Sequence, residues 1–231
     1  MPSKPKPRTL LSWSSGKDSA WALHVLRQQE DVEIVGLLTT LNGAADRVAM
    51  HAVRRELVEA QANALALPLL TVALPWPCPN EAYEGAMQSA LNGAIRELAI
   101  TAVAFGDLFL EDVRAYREEK MAACGLEPLF PLWGSPTDEL AKTMVENDLR
   151  AYLTCIDPRH LGEDFAGRAY DHELLEALPE TVDPCGERGE FHTFAYHGPM
   201  FSSSISVEVG EVIERGGFVF ADIVPNDAEA L

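Results

Sequence analysis

Thr9-Leu10-Leu11-Ser12-Trp13, then Ser14-Ser15-Gly16-Lys17-Asp18-Ser19, then Ala20 to Leu26 form the run whose reading decides the fold. The first five residues are as apolar as a buried strand, the next six are small or charged, and the last seven are apolar at helical spacing. The order is strand, tight turn, helix. A turn of small residues leading into a helix aims backbone N–H groups outward, and the helix N-terminus adds roughly half a positive charge at the same place. Such a turn holds an anion. Gly16 permits close backbone approach, Ser14, Ser15 and Ser19 offer hydroxyl donors, Lys17 adds a full charge, and Asp18 is a candidate Mg²⁺ ligand. The Walker A loop does not fit: GxxxxGK[ST] needs Gly where Leu11 stands, and Asp18 occupies the hydroxyl position.

Outward from this run, the same alternation repeats. Val32 to Leu38, Leu69 to Leu74, Ile100 to Phe105 and Leu129 to Trp133 read as strands, with helices over Val53 to Leu65, Ala82 to Leu98 and Val113 to Cys124 between them. Strands alternating with helices specify a parallel sheet covered on both faces, because a parallel connection needs a crossover. After Gly134-Ser135-Pro136 comes one more helix, Thr137 to Val145, and then the strand-like runs Tyr152 to Ile156, Phe191 to Tyr196, Ile205 to Val209 and Phe218 to Val224. No long helix separates the last three. The expected fold class is therefore α/β with a smaller, largely antiparallel C-terminal α+β unit. The expected division is residues 1–135, with a flexible tail over 1–8, and residues 136–231. Open parallel sheets bind ligands beyond the carboxyl ends of their strands where strand order reverses. The loops after the first and fourth strands, the latter beginning Phe105-Gly106-Asp107, should then flank the site.

With 231 residues and 47% hydrophobic content, the chain can bury a sizeable core. Its 18 Lys and Arg face 36 Asp and Glu, a net charge of −18 that repels nucleic-acid backbones at long range and argues against nonspecific binding to them. No apolar run approaches the length of a membrane span or a signal-peptide core, so a cytoplasmic protein is expected. Cys78, Cys124, Cys155 and Cys185 are widely spaced, with neither a CxxC nor a zinc-ligand pair, and read as reduced, mostly buried thiols.

Ser14 to Ser19 resembles the SGGxDS loop of the PP-loop ATP pyrophosphatases, with Ser15 at the second glycine. The match extends along the chain through Arg47-Val48-Ala49-Met50-His51, Phe105-Gly106-Asp107, Arg114-Ala115-Tyr116-Arg117 and Pro131-Leu132-Trp133. Cys185-Gly186-Glu187-Arg188-Gly189-Glu190-Phe191-His192-Thr193, followed by Gly198-Pro199-Met200-Phe201, is similar to the GEGGEYET segment and DGPxF continuation of the diphthine–ammonia ligase (diphthamide synthase) family. The resemblance implies a PP-loop (HUP-like) ATP domain and an ATP-dependent amide ligase that forms an acyl-adenylate and releases AMP and pyrophosphate. It also implies ATP and Mg²⁺, ammonia or ammonium as the nitrogen source, and an acyl substrate such as a diphthine-bearing elongation factor.

Within that reading Ser14, Ser15, Gly16, Lys17, Asp18, Ser19, Phe105 and Gly106 bind the nucleotide, and Lys17, Asp18, Asp107, Glu187 and Glu190 carry the chemistry. Asp107 serves Mg²⁺ or the substrate, or merely caps a helix. Glu187 and Glu190, three apart in a Gly-containing turn, hold an ammonium or a cationic substrate, or take a proton from NH₄⁺. Arg114 and Arg117 share a helix face that suits an anion or a solvated ion-pair surface. His51 is expected on the second crossover helix, and Trp133 in the core. Three positions depart from the family pattern: Arg188 stands at a Gly, His192 at a Glu, and His197 at the Asp before Gly-Pro. Added Arg and protonatable His oppose a quaternary ammonium, so the acyl substrate is expected to be less cationic than diphthine, with Phe191 and Phe194 as the countervailing aromatic contacts. The competing functional classes are a non-catalytic ATP-binding regulatory module and a sulfur- or RNA-modifying enzyme on the same ATP fold.

Overall fold

The computed structural model describes residues 5–48 and 51–226. The opening run is strand β1 (Arg8–Ser12), a turn, and helix α1 (Lys17–Gln29), which carries Asp18 in its first turn and Arg27 in its last, both matched to the helix dipole. The last residue of the expected tail is structured. Arg8 already lies in β1, donating to the Leu98 carbonyl and to Glu33, so only Pro5 to Pro7 of the described tail lack regular structure.

β1 pairs in parallel with β2 (Glu33–Asn42) on one side and β5 (Ala102–Ala104) on the other. β2 also pairs in parallel with β4 (Leu69–Leu74), and β5 with β6 (Glu127–Leu129). Strand order thus reverses at β1, which places the crevice for a ligand beside the turn at residues 14–19. Short β3 (Arg47–Val48) pairs antiparallel with the far end of β2. Helices α2 (Arg55–Leu65), α3 (Asn80–Leu98) and α4 (Glu111–Ala123) supply the remaining crossovers.

Alternation along the strands sorts the core into two layers. Leu11, Leu37 and Leu41 pack with α1 and α2 residues such as Trp21, Leu23, Leu57 and Val58, whereas Leu10, Leu38 and Val103 pack with Leu91 and Ala94 of α3 and Met121 of α4.

Helix α5 (Thr137–Glu146) leads into an antiparallel sheet of four strands in the order β8 (Phe191–His197), β7 (Arg150–Ile156), β10 (Phe218–Pro225), β9 (Val207–Arg215). A short helix, α6 (His172–Ala177), falls between β7 and β8, capped by Asp171, whose carboxylate accepts from the Leu174 amide. Leu153, Phe191, Phe194 and Val219 of this sheet belong to the same apolar core as α1 and α2.

Three further expectations change. The run Leu129 to Trp133 is strand only at its first residue, because Phe130 and Trp133 turn to pack on each other and on the Arg114 guanidinium. Trp133 is consequently half-buried, not core. His51 precedes α2, and the neighbouring Ala49 and Met50 lie outside the described residues.

Candidate active site

The turn between β1 and α1 is braced by its own side chains and from behind. The Ser14 hydroxyl accepts from the Gly16 amide at 3.3 Å and lies 3.2 Å from the Ser19 hydroxyl, which donates to the Gly16 carbonyl at 2.9 Å. β8 then closes over it: Thr193 Oγ1 accepts from the Lys17 amide at 3.1 Å, and the Ala195 amide donates to the Ser15 carbonyl at 2.9 Å. The close approach that Gly16 permits is to these protein groups, since a Cβ there would stand 3.0 Å from His51 Cε1 and 3.1 Å from the Thr193 carbonyl oxygen.

Ser15 has φ 70°, in the left-handed region where a side chain is disfavoured, and its hydroxyl is buried with no partner among the described residues. The second glycine of the resembling loop is replaced at a position that needs a glycine conformation. Ser15→Gly is therefore expected to stabilise the fold by about 1 kcal/mol, read as a rise of about 2–4 °C in Tm. An unchanged or lower Tm would show that the loop carries no such strain.

Lys17 does not reach into the opening. Its side chain is 2% exposed, its ammonium donates to Asp18 at 3.0 and 2.9 Å and to the Cys185 carbonyl, and it lies 5.4 Å from the centres of both the Tyr170 and Phe191 rings. Burial opposes its charge, but Asp18, Cys185 and Glu187 outweigh that, so its pKa is raised. Asp18 remains partly exposed, at 27%.

The loop after β5 meets this turn at Gly106, where a Cβ would stand 3.0 Å from the Asp18 carbonyl and 3.1 Å from the Ser19 amide nitrogen. A side chain there would press on the Asp18–Ser19 backbone and push the two loops apart by a few tenths of an ångström. One residue on, Asp107 is held by Arg117 at 2.7 Å, which answers the question of the two arginines: Arg117 orients Asp107 and Arg114 pairs with Glu118. Phe105 is buried, under the Arg117 guanidinium at 4.4 Å.

Glu187 comes to the same place from the C-terminal sheet. Its Oε1 accepts from the Leu108 amide at 2.8 Å. Burial pushes its pKa up to about 7; the Leu108 amide and Lys17 oppose the shift, while Asp18 and Asp107 add to it. Glu190, expected to work beside it, is turned inward and 1% exposed. Its two oxygens accept from the Asp183 and Arg188 amides, each at 3.0 Å, so it shapes the turn instead of facing a substrate. Phe191 and Phe194, expected as aromatic contacts, are core residues at 2% and 0% exposure.

The departures read differently once placed. His192 packs against His51 with ring centres 4.6 Å apart and planes tilted by 37°, and burial pushes their pKa values down to about 3 and about 4, so neither carries charge at neutral pH. His197 pairs with Asp148 and Ser204 at an exposed position. Of the three departures only Arg188 brings a cation to the site, its guanidinium 5.6 Å from the centre of the Phe109 ring.

Beside the turn, on the α3 and α4 face, a cavity of ≈ 170 Å³ is floored by Ser12, Leu38, Val103 and Phe105 at the strand ends and walled by Tyr83, Met87 and Tyr116. Sequence reading did not find it. It also missed Gln61, fully buried, which accepts from the Trp13 indole N–H at 2.8 Å and donates to the Ser15 and Ala195 carbonyls at 2.9 and 2.6 Å. The available signal was an amide on the buried face of α2, between Leu57, Val58 and Leu65.

Among the described residues no three His, Cys, Asp or Glu side chains converge as a metal cage. Asp18 and Asp107 still suit Mg²⁺, which is usually held by one or two carboxylates together with substrate phosphates and water. Cys155 and Cys185 are buried thiols whose pKa values burial pushes up to about 12, so neither offers a thiolate.

The chain matches the family model described as the diphthamide synthase N-terminal domain over residues 7–128, and that of the diphthamide synthase C-terminal domain over 136–223. A zebrafish (Danio rerio) protein named diphthine–ammonia ligase is 26% identical over 232 residues, covering 91% of this chain and 90% of that protein. A cattle (Bos taurus) protein of the same name is 24% identical, covering 91% and 86%.

Proposed function

The chain belongs to the diphthamide synthase family, and from that footing we propose that it is an ATP-dependent amide ligase acting through the junction of the residue 14–19 turn, Asp107 and Glu187. The observation that carries the reading is the Leu108 to Glu187 hydrogen bond, which pins a carboxyl of raised pKa to the loop after β5, within electrostatic reach of Asp18 and Lys17.

The adenosine of ATP fits the apolar cavity beside β1, and its phosphates run towards the N-terminus of α1. Asp18, with Asp107, would hold Mg²⁺, which would offset the charge of the departing pyrophosphate. The substrate carboxylate attacks the α-phosphorus, the bond to the β-phosphate oxygen breaks, and an acyl-adenylate remains. Glu187 takes a proton from ammonium. The freed nitrogen lone pair attacks the acyl carbon, the C–O bond to AMP breaks, and the extra proton on the nitrogen leaves to solvent water. Positioning and electrostatics supply the catalysis, so no protein nucleophile is needed. The sulfur-transfer alternative finds no reactive thiol in Cys155 or Cys185.

The acyl substrate proposed is that in the relatives' name, diphthine on an elongation factor. Of the groups that would oppose a cationic substrate, His192 is buried and neutral and His197 stands apart with Asp148, which leaves Arg188. No helix among the described residues is long and apolar enough to cross a membrane, which suits a cytoplasmic substrate. Incubation with diphthine-bearing elongation factor, ATP, Mg²⁺ and ammonium should give amide, AMP and pyrophosphate in equal amounts. ADP and orthophosphate as products would overturn the assignment. Met87→Trp, which fills the cavity, should raise the KM for ATP about tenfold with kcat little changed; an unaltered KM would move the nucleoside elsewhere.

A further inference from the structure

A lysine in a phosphate loop invites the reading that its charge meets the phosphate. The surroundings of Lys17 say otherwise. An ammonium has three N–H donors. Here the ammonium donates to the Asp18 carboxylate and to the Cys185 carbonyl, while the Tyr170 and Phe191 rings flank the same nitrogen. The side chain is 2% exposed, so its charge is met by protein groups.

What Lys17 holds is the turn that carries Glu187. Cys185 is gripped through its carbonyl by Lys17 and through its amide by Asp183 at 2.8 Å. The Tyr170 hydroxyl donates to the neighbouring Pro184 carbonyl at 2.8 Å, and Glu190 ties Asp183 to Arg188. Two residues past Cys185, Glu187 meets the Leu108 amide. The backbone amide of Lys17 is fixed by Thr193, so one end of the residue is anchored to β8 and the other to the turn before it.

We infer that Lys17 is a positioning residue: its ammonium pegs the residue 183–190 turn to the start of α1 and so places Glu187, leaving phosphate binding to the helix N-terminus and the rest of the loop. This rests on the ligase reading only for its kinetic consequence.

Lys17→Met, of similar length and uncharged, tests it. Calorimetry with ATP and Mg²⁺ should give a Kd within about threefold of wild type, and hydrogen exchange of the 183–190 amides should quicken about tenfold or more. With diphthine-bearing elongation factor, kcat should fall at least about thirtyfold while the KM for ATP holds. A Kd raised about tenfold or more with turn protection unchanged would make Lys17 a phosphate ligand and overturn the inference. Should Lys17→Met not fold, Tyr170→Phe loosens the same turn with the ammonium intact. Faster exchange there with an unchanged kcat would also overturn it. Wild-type enzyme that binds ATP yet forms no amide counts against the ligase reading, while the Kd and exchange results still decide the role of Lys17.

Discussion

Glu187→Gln is expected to slow amide formation by about two to three orders of magnitude, within the range of general acid–base catalysis, while ATP binding stays near wild type. Glutamine keeps an oxygen for the Leu108 amide, so the loop contact survives and the lost function is proton acceptance. The pH dependence makes the assignment sharper. With a pKa pushed up to about 7, Glu187 is protonated and idle as a base below that pH and ionised above it. At a fixed concentration of ammonium ion, wild-type activity should rise through about pH 7 and level off, and the variant should lack that levelling limb. A variant with an intact limb would place the base elsewhere.

The second large effect concerns the fragment of residues 1–135. The two family segments meet near this point, and we propose that they divide the work, nucleotide in the first and acyl group in the second. They do not divide the fold. The phosphate loop needs Thr193 for the Lys17 amide and Ala195 for the Ser15 carbonyl, and the apolar layer over α1 and α2 is completed by Leu153, Phe191 and Phe194. The fragment should lose more than about a hundredfold in ATP affinity by calorimetry and show no cooperative thermal transition. ATP binding within about threefold of the full chain would show that the loop forms without its C-terminal cover.

The parallel sheet was legible because strands buried on both faces are short continuous apolar runs, and Leu69–Leu74 begins and ends where its run does. β9 was read short, as Glu208, Glu211 and Glu214 break the apolar pattern along an exposed edge strand. The phosphate loop could be read from its small residues, but the direction of its lysine could not. Nothing local distinguishes an ammonium aimed at solvent from one drawn under two rings more than 150 positions later. The same holds for Glu187 and Glu190. Their spacing in a loop does not reveal which carboxylate meets Leu108 and which turns inward to staple backbone amides.

The bonds that close the phosphate loop from behind span 176 residues from Lys17 to Thr193 and 168 from Lys17 to Cys185. On a ribosome adding roughly 5–20 residues per second, the loop therefore waits on the order of 10–35 s after its own synthesis for the strand that completes it. During that interval the nascent chain exposes the apolar face of α1 and α2 and has no finished anion site. Nucleotide cannot act as an early folding template for this protein, and ATP should protect only chains extended past β8 in a stalled-ribosome series probed by protease.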